Sequence, residues 1–154
     1  MSKELPADPV DRVALLAADF GAAADEVDDA AAAALRVNRT DLRLLGLVGE
    51  GSLSAGALAV AAGLSPAATT TAVQRLVAAG HLVREVDPAD RRRVTLTVTA
   101  SSADLLRRAY EPVADEGRRI LAGYPTADLA VIDRFLRAGI DLQRAHAVRI
   151  RAIG

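Results

Sequence analysis

The stretch from Leu64 to Thr99, LSPAATTTAVQRLVAAGHLVREVDPADRRRVTLTVT, constrains the fold of this chain more than any other. Ser65 and Pro66 are a helix N-cap followed by the first helical position, where a proline costs nothing. Val73 and Leu76 are placed to anchor that helix to a core, and Gly80 offers the left-handed residue that stops it. Two runs, Leu82–Val86 and Val94–Val98, then alternate with the period of half-buried strands, the second with Val94, Leu96 and Val98 on one face and Thr95 and Thr97 on the other. Between them, Asp87-Pro88-Ala89-Asp90-Arg91-Arg92-Arg93 is too long and too charged for a tight turn and is expected to project into solvent. A capped helix followed at once by such a hairpin has the layout of a recognition helix and a wing.

The flanking segments read as helices. Residues 8–36 predict one long helix capped by Asp8, with Pro9 in its first turn and a stripe of Val13, Leu16, Ala17, Phe20, Ala24, Val27 and Ala31 at helical spacing. The alanines at 30–34 favour helix strongly and are small enough to let a second helix approach closely. Thr40 is expected to cap a second helix with Leu42, Leu45 and Val48 inward, ending at Glu50-Gly51. Ser54 caps a short third one with Leu58, Ala61 and Ala62 apolar, and Gly63 supplies the tight turn between crossing helices. Thr99 or Ser101 opens a fifth helix to about Ala122, in which Pro112 should produce a kink or a break. After Gly123-Tyr124-Pro125, Thr126 is expected to cap a sixth helix to about Arg149, with a stripe of Leu129, Ile132, Phe135, Leu136, Ile140 and Gln143.

Composition narrows the chemistry. At 154 residues one domain is expected, 1–154, able to bury about 68–70% of its unfolded surface. Half the residues are hydrophobic but only 3% aromatic, so the core is built from alanine, valine and leucine, which favours close-packed helices. The absence of cysteine excludes disulfides, thiol redox sensing and thiolate metal sites. His81 and His146 are far apart and lack ligand spacing, so no metal and no cofactor are expected. No glycine-rich phosphate loop or nucleophile–histidine–acid pattern marks an enzyme. No apolar run reaches the ~18 residues of a membrane helix, and MSKELPADPVDR lacks the layout of a signal peptide, so a cytoplasmic protein is expected. The formal net charge is −1, yet Ser65–Thr99 holds five arginines (75, 84, 91, 92, 93) against three acids (85, 87, 90), a local +2 on a remainder of −3. A basic module on an acidic body suits a protein that meets DNA through one face.

A helix entering the major groove presents short polar groups near its N-terminus to base edges. The outward candidates are Pro66, Ala67, Thr69, Thr70, Thr71 and Gln74. Threonine hydroxyls bond bases or phosphates, their methyls pack on thymine methyls, and Gln74 suits a paired contact with adenine. Read alone, the same helix is also a surface helix whose threonines meet only water, and the arginine-rich loop is also a solvated charged loop. As a wing, Arg91, Arg92 and Arg93 reach the backbone or the narrow minor groove, where the potential is most negative. Asp90 fits better as an ion-pair support for one of them than as a DNA contact.

These motifs resemble the MarR family of winged-helix transcriptional regulators. The resemblance rests on T-D-L at 40–42, L-x-A-G-x-L-A at 53–59, G-L-S-P at 63–66, R-L-x-x-A-G-x-L-V-R at 75–84 and D-P-x-D-R-R at 87–92. It implies a mainly α fold with a small β-hairpin wing, a winged helix-turn-helix over 38–99, and dimerisation helices over 8–36 and 100–150. It implies a homodimer on double-stranded DNA with a pseudo-palindromic operator, acting as a repressor and released by a small lipophilic or phenolic ligand. By the same resemblance Arg92 enters the minor groove, Asp90 steadies the wing, Thr70 and Thr71 match major-groove positions, and Arg75 contacts a phosphate or the wing. Gln74 stands where an acid is common in the family. Nothing in the pattern calls for His81, which reads as a half-exposed residue at the start of a strand. Two alternatives stay open: a winged-helix module that binds protein, or a member without ligand response. The apolar stripes of the terminal helices serve either a partner chain or each other within one chain.

Overall fold

The computed structural model describes residues 6–86 and 94–153, and within them the chain runs α1 (Pro9–Leu35), α2 (Arg39–Gly49), α3 (Ala55–Ala62), α4 (Pro66–Ala78), β1 (Leu82–Val86), β2 (Val94–Val98), α5 (Ala100–Ala122) and α6 (Thr126–Arg151). The mainly α fold with a β-hairpin wing is the one expected. Packing divides the chain into two compact units, residues 1–109 and residues 110–154.

In the first unit the helix ends follow local chemistry. Asp8 Oδ1 accepts from the backbone N–H groups of Val10 and Asp11, and α1 ends at Arg36 in the left-handed region (φ 56°). The cap of α2 is Asn38, not Thr40: its Oδ1 accepts from Asp41 N at 2.8 Å, so the helix starts earlier than expected. Asparagine reaches the third backbone N–H as well as threonine does, and Val37-Asn38 directly follows the end of α1. Ser54 and Ser65 cap α3 and α4, each accepting from the backbone N–H three residues on at 3.2 Å.

Between α3 and α4 the chain turns through 112°, the geometry of a helix-turn-helix, with Gly63 at φ 65° making the turn. Leu44, Leu45, Leu58, Val73, Leu76, Leu82 and Leu96 are fully buried between packed elements: α1 on α2, α2 on α3 and β2, α3 on α4, and α4 on β1. Ala31, Ala32 and Leu35 are the part of α1 that enters this core, where alanine lets α2 come close. Ala59 is buried in α3, whereas Ala61 faces solvent.

Gly80, beyond the last turn of α4, has φ 76°, and a Cβ there would meet nothing within 4 Å. Gly80→Ala therefore carries only the left-handed penalty. It is expected to cost about 1–2 kcal/mol in urea denaturation, with the hairpin position unchanged. A neutral result would show that the connection to β1 can adopt another backbone conformation.

The hairpin is antiparallel with Leu82 opposite Val98 and Val86 opposite Val94. Leu53 joins it as an isolated bridge to Leu96, with N–H···O bonds of 2.8 and 3.4 Å in the two directions. Only the base of the ribbon is buried. Leu82 and Leu96 enter the core and Val98 is half-buried, while Val86 and Val94 are exposed because the ribbon runs past the helices. At its foot Thr99 Oγ1 accepts from Ser102 N and donates to the carbonyl of Gly80, capping α5 and tying it to the end of α4. α5 is helical through Pro112, so this proline does not break it.

The second unit holds the end of α5 and α6. Pro125, not Thr126, precedes the first turn of α6, with no side-chain cap, and the helix continues to Arg151. α6 buries no residue: Phe135, Leu136 and Ile140 are each about half exposed. In the first unit, Val13, Leu16 and Phe20 of the α1 stripe are likewise exposed, as is Val10 before them.

Candidate nucleic-acid interface

Pro66 at the first position of α4, and Ala67, Thr70, Thr71 and Gln74 after it, are exposed and form the outer face of the helix. Thr69 is not among them. It is 1% exposed, packed inward beside Ala72 and Val73, with its hydroxyl donating to the carbonyl of Ser65 at 3.0 Å. The reason is helical spacing, since residues 69, 72, 73 and 76 share the core-facing side. Thr70 and Thr71 also donate to carbonyls one turn back, Pro66 O at 2.8 Å and Ala67 O at 3.1 Å. Their hydroxyl protons are engaged by the helix. What they turn outward is an acceptor oxygen and a methyl group, suited to an amino group or a thymine methyl on a base edge.

Arg75, which the resemblance assigns to a phosphate or the wing, is held from within the protein. Its Nε and Nη2 donate to the two carboxylate oxygens of Asp41 at 2.7 and 2.6 Å. Asp41, in the first turn of α2, is only 2% exposed, whereas the Arg75 side chain is 50% exposed. Hydrogen bonding to Asp41 and the charge of that carboxylate raise the Arg75 pKa above its ordinary value. The sequence motif T-D-L includes Asp41, but nothing in a linear pattern pairs it with a residue 34 positions away. An open cleft of about 520 Å³ lies between the two helices, lined by Asn38, Arg39 and Thr40 on one side and by Leu64, Ala68, Thr71, Ala72 and Arg75 on the other.

Arg39 was also missed by sequence reasoning. It donates to the side chain of Asp25 at 2.6 Å and to that residue's carbonyl at 2.9 Å, with Asp28 and Asp29 within 3.5 Å. Loss of hydration opposes its charge, but the Asp25 bond and the neighbouring carboxylates outweigh that and raise its pKa. The acidic side of α1 thus holds the first residue of α2. His81 precedes β1, is half-buried as expected, and shares a 2.8 Å hydrogen bond between Nδ1 and the buried hydroxyl of Ser102. Asp90, Arg91, Arg92 and Arg93 lie outside the described residues.

The model of the MarR family matches residues 37–93. The uncharacterized HTH-type transcriptional regulator YcgE of Bacillus subtilis (strain 168) is 32% identical over 123 residues, covering 79% of this chain and 80% of the relative. Among solved structures, Rv1404 of Mycobacterium tuberculosis has a TM-score of 0.65 at 24% identity, over 92% of this chain and 97% of its own. S. aureus MepR bound to ethidium bromide has a TM-score of 0.65 at 14% identity, over 84% of this chain and 95% of its own. The MepR–DNA complex has a TM-score of 0.57 at 18% identity, over 79% of this chain and 98% of its own. The structures share the fold, and the B. subtilis relative shares sequence along most of its length. The chain therefore belongs to the MarR family of winged-helix transcriptional regulators.

Proposed function

We propose that the protein is a homodimeric repressor that reads a short pseudo-palindromic operator. In this reading residues 38–99 bind DNA and residues 8–36 and 100–150 hold the dimer within a single domain, 1–154. The observation that carries it is the exposed face of α4, where Pro66, Ala67, Thr70, Thr71 and Gln74 stand beside a hairpin whose connection carries three arginines. Those side chains meet base edges, Arg75 meets a phosphate, and Arg91, Arg92 and Arg93 follow the backbone and minor groove with Asp90 in support. A MarR-type neighbour in complex with DNA supports the docking, and the same neighbour bound to ethidium bromide supports the binding of a small ligand, which in this reading is lipophilic or phenolic and releases the DNA. Such a ligand shifts the balance only through unequal affinity for the two conformations.

The family is one of regulators, and this chain acts by binding rather than by catalysis. Among the described residues no single helix is long and apolar enough to cross a membrane. A regulator of transcription works where the DNA is, in the cytoplasm. The arginine-rich wing favours this reading over a protein-binding module, which needs no such cluster.

The test is fluorescence anisotropy with DNA flanking the protein's own gene, across a salt series. Two chains per site and a log–log salt slope of about −5 to −8, for about 6–8 phosphates, are expected. Arg92→Ala is expected to weaken binding by about 1–3 kcal/mol with circular dichroism unchanged. Equal, weak binding to unrelated duplexes, repeated after selection from random sequence, would refute the operator reading.

A further inference from the structure

A buried carboxylate lies beneath the recognition helix, and the outer face of α4 does not account for it. Asp41 is the third residue of α2, its backbone N–H held by Asn38 and both its side-chain oxygens held by Arg75. Removing a carboxylate from water costs several kcal/mol, and its pairing often does no more than offset that cost. An apolar pair would join α2 to α4 more cheaply. What an apolar pair cannot do is fix the direction of a cation. Asp41 takes the guanidinium along its Nε–Nη2 edge. The other edge, at Nη1, has no hydrogen-bond partner among the described residues and belongs to a half-exposed side chain at the rim of the cleft. Thr71, one turn earlier on α4, lines the same cleft.

We infer that Asp41 is a positioning residue that holds Arg75 with its outer N–H edge turned to a phosphodiester of bound DNA. This rests on the DNA-binding reading and deepens it. A planar guanidinium can serve two anions at once, one on each edge, and a lysine ammonium cannot do so in fixed geometry. A buried partner keeps the arginine in one rotamer before DNA arrives, so less side-chain freedom is lost on binding.

The sign of the effect separates this role from simple charge. Asp41→Asn removes a negative charge from each chain. If Asp41 only cancelled the charge of Arg75, the variant would bind DNA more tightly. Positioning predicts the opposite: about tenfold weaker binding to the site that the full-length wild-type chain selects from random duplexes. Arg75→Ala is expected to be as weak, and Arg75→Ala combined with Asp41→Asn no weaker than either. Stability should follow a different order, with Arg75→Ala the least stable because it leaves a buried carboxylate unpaired.

Should Asp41→Asn fail to fold, Arg75→Lys decides, because it keeps a cation against Asp41. It is expected to fold, by circular dichroism, and to bind about as weakly as Arg75→Ala. Unchanged or tighter binding by Asp41→Asn, or wild-type binding by Arg75→Lys, overturns the inference while leaving the DNA reading intact. Failure of the wild-type chain to select any duplex overturns the DNA reading itself.

Discussion

Leu76→Ala is expected to destabilise the protein by about 2–5 kcal/mol, a large part of the ~5–15 kcal/mol typical of a whole domain. Leu76 is fully buried on the inner side of α4, where that helix packs on α3 and β1. Alanine has the higher helix propensity, so the helix itself gains slightly. The loss is therefore the transfer of the missing methine and two methyls plus the cavity left behind. With few aromatic side chains in the whole chain, there is little long, adaptable bulk to collapse into that cavity. Urea denaturation at equilibrium measures it. Val60→Ala on α3 is the control, since Val60 is 85% exposed and its truncation should lie within about 0.5 kcal/mol of wild type. A cost for Leu76→Ala near that of the control would mean that α4 is not anchored through this side chain.

Leu136→Asp in α6 is expected to abolish the proposed dimer. Ile132, Phe135, Leu136 and Ile140 recur at helical spacing, and no residue of α6 is buried in the single chain. An apolar face of that length left in water is what a partner helix covers, since burial yields about 25 cal/mol per Å². A carboxylate in the middle of such an interface must be desolvated without a partner, which costs far more than truncation. Sedimentation velocity should show a shift from two chains to one, with helix content retained. DNA binding should collapse with it, because a single recognition helix reads only one half-site. A Leu136→Asp protein that still sediments as a folded dimer would move the interface away from this face.

Local chemistry made most of the helix-turn-helix legible. Ser54, Gly63, Ser65-Pro66 and Gly80 each state a helix start or stop through their own backbone preferences, and the structure uses them where the sequence places them. Errors came where two residues could do the same local job. Asn38 and Thr40 are both competent caps, and the end of α1 at Arg36 decides for the earlier one. The run of threonines misled for a related reason. At 3.6 residues per turn Thr69 falls on the side of Ala72, Val73 and Leu76, and the core claims it while Thr70 and Thr71 stay outside.

Periodicity and capping, read along the chain, determined the order of the elements, the turn between α3 and α4 and the hairpin, because these depend on neighbours within a few residues. Tertiary structure alone decided which acid meets which arginine. Asp41 with Arg75, Arg39 with the carboxylates of α1, Leu53 with Leu96, and His81 with Ser102 are all separated by ten or more residues, and each pairs only after the helices have packed. The physical reason is range: caps and hydrophobic spacing act within one or two turns, whereas a buried ion pair is specified by the packing of the whole core around it.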